Sequence, residues 1–342
     1  MGWAADMGID LGTASVLVFM EGKGIVLNEP SVVSIDQKSG KVLAVGEYAR
    51  TMLGRTPENI VATRPLREGV IADFDITEIM LKYFISKVCK ARRIFRPRVV
   101  VCIPVRTTSV EKKAVIDASL RAGAREAYLV EEPRAAALGA GLEIFEPSGN
   151  MVVDIGGGTS DIAVLSMGET VVSTSVRVGG DKFDEAITRY LRKEHNLFIG
   201  ERTAELLKIE VGSAFPGNRS VSMTIRGRDL VSGLPRSEEI TTEHVAEAIH
   251  EPLWAIIRGV YQVMEQTPPE LAGDIMEKGV VLTGGGAMLD GLHKIISRET
   301  GVPAYLAEDP IGCVAKGTGK TLEYLDQMRE TLITSKKLAA AY

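Results

Sequence analysis

Asp154-Ile155-Gly156-Gly157-Gly158-Thr159 decides the fold of this chain, because Asp10-Leu11-Gly12-Thr13 says nearly the same thing half a chain earlier. Each aspartate ends an apolar run, Met7 to Ile9 in one case and Met151 to Val153 in the other. Each glycine turn is followed by a second apolar run, Val16 to Met20 and Ile162 to Leu165. Strand, glycine turn, strand is therefore written twice. A glycine turn lets backbone N–H groups approach a phosphate, since no Cβ stands in the way. A carboxylate at a strand end can hold a hydrated Mg2+. Two such hairpins facing each other predict a phosphate clamp with a metal in the middle. Asp10 and Asp154 are the metal candidates. Gly12, Thr13, Ala14 and Ser15 would cradle one side of the phosphates, and Gly156, Gly157, Gly158 and Thr159 the other. One such turn is commonplace, because turns favour Asp and Gly. Two at matching places in two halves are much harder to explain as turns alone.

Outward from the first hairpin, Gly24 to Ile35 reads as one further strand, and Gly40 to Pro65 as a small loop-rich insertion. Asp73 to Arg92 has helical spacing of Ile76, Ile79, Met80, Tyr83, Phe84 and Val88, with Asp75 and Glu78 as a capping box. Arg98 to Ile103 is continuous in Val and Ile, the pattern of a buried strand. Thr108 with Glu111 opens a helix to Arg121, and Ala127 to Val130 is a short strand. Pro133 then stands in a first helical turn ahead of Ala135-Ala136-Ala137, whose small side chains allow close helix packing. The second half repeats the plan. Its hairpin precedes helices over Lys182 to His195 and Glu201 to Ala214, then a second insertion with strands from Ser220 to Glu239. A long helix from Thr241 to Gln266, a strand Gly279 to Leu282 and a helix Met288 to Glu299 complete it. Strands alternating with helices predict an α/β architecture with layered sheets.

Composition narrows the function. A chain of 342 residues predicts roughly two domains. The net charge of −5, from 40 basic and 45 acidic residues, argues against wholesale nucleic-acid binding. No apolar run approaches the ~20 residues that span a bilayer, and the start carries no secretory pattern. Cys89, Cys102 and Cys313 lack metal-like spacing, and Cys102 reads as a buried thiol. A reducing cytoplasm fits.

Three more segments bear on chemistry. Thr283-Gly284-Gly285-Gly286-Ala287-Met288 follows a strand and opens a helix, a usual way to let a planar ring or phosphate approach backbone. Glu131-Glu132-Pro133 puts carboxylates at a helix start, where they complement the dipole; the functional alternative is that Glu132 positions a water against a γ-phosphate. Lys90, Arg92, Arg93, Arg96 and Arg98 surround Ile94-Phe95 at a helix end. That cluster is either a cationic helix terminus or a small loop that buries Ile94 and Phe95 in an anionic membrane. Gly317-Thr318-Gly319-Lys320-Thr321 imitates a P-loop tail, but Val314 stands where the first glycine belongs.

Taken together, these segments resemble the actin, sugar-kinase and heat-shock-chaperone ATPase superfamily, and within it the bacterial actin homologues of the MreB family. The resemblance runs from Met7 to about Leu325 and includes Gly24 to Val33, Arg64 to Asp73, Glu132 to Ala137 and Val178 to Asp184. It implies an actin-like fold of two lobes, each a mixed sheet flanked by helices with a smaller inserted subdomain. The implied boundaries are 1–31, 67–149 and 313–342 for the first large subdomain and 32–66 for its insert. The second large subdomain would be 150–182 with 241–312, and its insert 183–240. It further implies ATP and Mg2+ as cofactors, with hydrolysis coupled to assembly into double protofilaments. The expected place is the inner face of the cytoplasmic membrane, with membrane proteins of the cell-wall elongation machinery as partners and rod shape as the outcome. By family position, Glu132 orients the hydrolytic water beside Thr159, and Glu205 and Lys208 contact ribose and adenine. By spacing alone, Glu205 and Lys208 are an exposed helical pair. Ile94 and Phe95 match the family's membrane loop, while Ser15 stands where it often has Asn. A small-molecule kinase or a non-polymerising scaffold of the same superfamily is the rival reading. A kinase would need an acceptor pocket with its own base, for which the sequence shows no site.

Overall fold

The computed structural model describes residues 6–89, 96–215, 217–325, 328, 332–334 and 337. The first hairpin is β1 (Met7–Leu11) with β2 (Ser15–Met20), continued by β3 (Gly24–Pro30). β4 (Val33–Asp36), β5 (Val42–Val45), α1 (Glu47–Met52) and β6 (Ile60–Thr63) lead to a short ribbon, β7 (Leu66–Arg67) and β8 (Val70–Ile71). α2 (Phe74–Cys89), β9 (Arg98–Ile103), α3 (Ser109–Arg121), β10 (Glu126–Glu131) and α4 (Glu132–Gly139) close the first half. The second half runs β11 (Asn150–Ile155), β12 (Ser160–Ser166), β13 (Glu169–Val176), α5 (Gly180–Glu194), β14 (Leu197–Phe198) and α6 (Glu201–Glu210). It continues with β15 (Ser222–Asp229), β16 (Pro235–Thr241), α7 (Thr242–Gln266), α8 (Pro269–Lys278), β17 (Val280–Thr283), α9 (Leu292–Thr300) and β18 (Ala304–Leu306). α10 (Cys313–Glu323) comes last.

The repetition seen in the sequence is a repetition of topology. One five-stranded sheet has the order β10-β9-β1-β2-β3 and the other β18-β17-β11-β12-β13. In each, the hairpin's first strand pairs antiparallel with its second, which pairs antiparallel with the third. On its other side that first strand pairs in parallel with a strand from much later in the chain, and a further parallel strand completes the edge. β9, β11 and β12 are buried almost end to end, as their continuous apolar runs require of strands covered on both faces. Each lobe carries a small three-stranded sheet as its insert, β5-β4-β6 in the first and β14-β15-β16 in the second.

Between the two large sheets lies a shared apolar layer. Val100, Cys102 and Val130 of the first sheet, Val152 and Leu165 of the second, Ala135, Ala136 and Ala137 of α4 and Val314 of α10 are buried together. The alanines allow an extreme approach. A Cβ on Gly317 of α10 would sit 1.7 Å from the Ala135 carbonyl oxygen, and one on Gly139 of α4 1.8 Å from that of Cys313. The P-loop imitation is thus the contact face of a buried helix, and its glycines serve packing.

Local readings shift in several places. Gly24 to Ile35 is two strands, broken at Ser31 and Val32. The first insertion is a sheet with a helix. α2 is capped by Asp73, whose Oδ1 accepts from Ile76 N at 3.0 Å, and not by Asp75 with Glu78. The expected capping box at Thr108 and Glu111 is present. α6 ends at Glu210, short of Ala214. The helix expected from Met288 begins at Leu292, because Gly291 lies in the left-handed region at φ 71° and interrupts the turn before it. No helix among the described residues is long and apolar enough to cross a membrane.

Candidate functional site

Both glycine turns close by the same bond. Gly12 N donates to Ser15 O at 3.1 Å, and Gly156 N to Thr159 O at 2.9 Å. The two turns then meet face to face. A Cβ on Gly157 would fall 2.6 Å from the Ala14 Cβ, and one on Gly158 2.6 Å from Thr13 Oγ1. Only glycine lets these backbones come so near. The tip of the β7–β8 ribbon joins them: Gly69 N donates to Thr13 Oγ1 at 3.0 Å, and Glu68 adopts a left-handed φ of 49° against Gly158. The third turn lies behind the second. Gly284, at φ 81°, abuts the Ile155 carbonyl, and a Cβ on Gly286 would meet the Ile155 side chain at 2.5 Å. Gly285 to Met288 form a single 3-10 turn, with Ala287 buried and Met288 half exposed.

Asp10 and Asp154 end strands whose turns touch, and the structure brings them together. Asp154 is buried and Asp10 partly so, and the two lie within electrostatic reach of each other and of the buried Glu132 and Asp161. Burial pushes the Asp10 carboxyl up to about 6, opposed by the Cys102 thiol that donates to its Oδ1 at 3.3 Å. Burial pushes Asp154 up to about 7, opposed by Thr283 Oγ1 donating at 2.7 Å and reinforced by the charges of Asp10 and Asp161. Asp161 is driven to about 6, again mainly by burial. Glu132, at the start of α4, is held well above the ordinary carboxylate range by burial, then by the charges of Asp161, Asp154 and Asp10. Three buried carboxylates and a partly buried fourth cannot all ionise without a cation. This cluster fits a divalent ion. Among the described residues no three acidic, histidine or cysteine side chains close on one metal position.

The raised values carry a testable sign. Between the unfolded value near 3.8 and the folded value near 7, folded Asp154 keeps a proton that the unfolded chain releases. That contribution to stability is complete below the lower value and lost as pH rises through the upper one. Asparagine stays neutral and still accepts from Thr283. In nucleotide- and metal-free protein, Asp154→Asn should therefore gain in Tm over wild type from pH 5 to pH 8. A difference that is the same at both pH values would refute the assignment.

At the cleft mouth, Glu205 and Lys208 do not pair with each other, contrary to their spacing. Glu205 bonds Arg50 of the first lobe's insert at 2.7 Å. Lys208 lies largely buried, bonded to Asp184 at 2.9 Å and to the Gly180 carbonyl at 3.0 Å. Arg64 reaches Asp181 at 2.9 Å, a further bridge from first lobe to second. Ile94 and Phe95 fall outside the described residues.

Asp161, Arg50 and Arg64 escaped the sequence reading. The signal for Asp161 was present: it follows Asp154 by seven residues in one hairpin, and the register sets the two directly opposite each other. Arg50 and Arg64 gave none, since each finds its acidic partner more than 100 positions away.

Comparison with known proteins agrees with this geometry. Residues 4–330 match the family model described as MreB/Mbl protein. The chain is 56% identical over 326 residues to the cell shape-determining protein Mbl of Bacillus cereus, covering 95% of this chain and 98% of that one. It superposes on the crystal structure of MreB5 of Spiroplasma citri bound to AMPPNP with a TM-score of 0.89 and 36% identity, over 97% of this chain and 99% of that one. The MamK double helical filament structure, at 21% identity, shares the fold with a TM-score of 0.78 over 93% and 98% of the two chains. The chain thus belongs to the MreB/Mbl family of cell shape-determining actin homologues.

Proposed function

We propose that this chain is an ATP-hydrolysing bacterial actin that assembles into paired protofilaments on the inner face of the cytoplasmic membrane and directs cell-wall elongation. The observation that carries this reading is the confrontation of the Gly12–Ser15 and Gly156–Thr159 turns beside the carboxylates of Asp10, Asp154, Asp161 and Glu132. Backbone N–H groups of the two turns bind the phosphates. Asp10 and Asp154 would hold Mg2+, which when bound would offset phosphate charge. Glu132, backed by Thr159, orients the attacking water and takes its proton. Glu205 and Lys208 meet ribose and adenine, so nucleotide entry exchanges the Arg50 bond to Glu205 for a ligand. Gly284 to Met288 flank the base. The relative bound to AMPPNP supports nucleotide binding, and the MamK filament supports self-association.

The two large sheets with their inserts support a division into four subdomains at the boundaries given above, and bridges such as Arg64 to Asp181 are where nucleotide state would alter lobe approach. Membrane contact is assigned to Ile94 and Phe95, whose burial supplies about 1.5–3 kcal/mol each. Partner proteins would be membrane components of the elongation machinery.

Ultracentrifugal pelleting tests the reading. The protein should pellet with ATP and Mg2+ and remain in the supernatant without nucleotide; a soluble protein in both states would favour a non-polymerising scaffold. Phosphorylation of an added sugar would instead favour a kinase. Adding anionic liposomes tests the loop: replacing Ile94 and Phe95 with Ser should release the protein from them, and unchanged lipid pelleting would remove the membrane assignment.

A further inference from the structure

Thr283 ends β17 beside Asp154, its register partner in the parallel pair with β11. Both side chains are buried, that of Thr283 completely. Thr283 Oγ1 donates to Asp154 Oδ1 at 2.7 Å, and among the described residues this is the one hydrogen bond that the carboxylate accepts. Backbone closes in on the same oxygen. A Cβ on Gly284 would stand 2.9 Å from Asp154 Oδ1 and 2.3 Å from the Ile155 carbonyl oxygen.

Packing alone does not call for a hydroxyl here. Val280, Val281 and Leu282 precede Thr283 in β17, and a valine would continue that apolar run with no polar atom to satisfy. The first lobe repeats the arrangement with a weaker donor. Cys102 of β9 lies one position past the Ile9–Val101 pair, beside Asp10, and its thiol donates to Asp10 Oδ1 at 3.3 Å. Each strand-end aspartate is thus held by a donor on its parallel neighbour, and the hydroxyl is the stronger donor of the two.

We propose that Thr283 is a positioning residue for the metal: it fixes one oxygen of Asp154 and so leaves the other set to meet the ion's hydration shell. Thr283 also leads directly into the Gly284 to Met288 turn. The element that flanks the base and the carboxylate that meets the metal are therefore one rigid unit of the second lobe. Thr283 itself touches neither metal nor nucleotide and acts only through its neighbour. This rests on the metal role given to Asp154 above.

The test compares AMPPNP binding to the full chain in Mg2+ and in EDTA. Wild type should bind more tightly in Mg2+, and Mg2+ should raise the Tm of its AMPPNP complex. Thr283→Val should cut the Mg2+ gain in affinity by roughly tenfold or more, the range for losing an outer partner of a metal ligand, and shrink the thermal shift with it. Its affinity in EDTA should stay near the wild-type value. Thr283→Ser keeps the donor and should restore most of the Mg2+ gain. A valine variant with the full wild-type gain would overturn the proposal, as would a serine variant no more sensitive to Mg2+ than valine. So would a loss of equal size in Mg2+ and in EDTA, which would make Thr283 a support for the base turn alone. Wild-type protein that gains nothing from Mg2+ would instead remove the metal reading of Asp154, and this proposal with it.

Discussion

Glu132→Gln should slow ATP turnover by at least about 100-fold, the lower end for loss of a general base, while nucleotide still binds. Glutamine has the same size and hydrogen-bonding reach but cannot take a proton at neutral pH. Glu132 opens α4 directly before Pro133, and Glu131 precedes it as the extended N-cap. The position is rigid, because the next turns of α4 are locked by Ala135, Ala136 and Ala137 in the shared apolar layer. The variant should therefore fold and bind as wild type does. It should also still pellet with ATP and Mg2+, and more persistently, since hydrolysis would no longer reverse assembly. Phosphate release measured in single turnover decides the matter: a wild-type rate would take Glu132 out of the hydrolytic step.

The second large effect concerns stability and comes from one substitution made at two glycines. Gly317→Ala drives a methyl group to within 1.7 Å of the Ala135 carbonyl, so α4 and α10 must separate. Overpacking against a backbone carbonyl falls at the upper end of the usual cost of about 1–3 kcal/mol, and Tm should fall by roughly 5–10 °C. Gly273, in α8, has open space around its missing Cβ. There the same change should raise stability by about 0.5–1 kcal/mol, as helical alanine does over glycine. Thermal melts of the two variants beside wild type settle it. A Gly317→Ala protein that melts with wild type would mean that the two helices do not pack this closely.

What the chain revealed unaided followed the range of the interaction. The paired hairpins were legible because each lies within about fifteen consecutive residues, and an apolar run ending in Asp-x-Gly carries its own turn. β9 and the Thr108 cap were legible for the same reason. Short-range competition misled at α2, where Asp73 and Asp75 are both plausible caps and the backbone chose the first. At Gly291 a left-handed residue stopped a helix that periodicity alone would have begun earlier. The site was legible in its turns and in Asp10, Asp154 and Glu132. It was illegible in Arg50, Arg64 and the Val105 bond to Asp161, which exist only once two lobes meet.

The seating of α10 has a consequence for how the protein is made. This helix packs on β1, β2, β9 and α4, so the first lobe draws its last structural member from beyond the entire second lobe. A nascent chain leaving the ribosome therefore exposes the alanine face of α4 until nearly all of it has been translated. The first lobe has every strand of its large sheet by β10, whereas the second lobe, continuous from β11 to β18, completes its own only at Leu306, shortly before α10 begins. The first lobe can thus assemble its sheet early, in the usual N-terminal-first order, yet it stays unsealed until the second lobe is made, and a stall before residue 313 would leave it so.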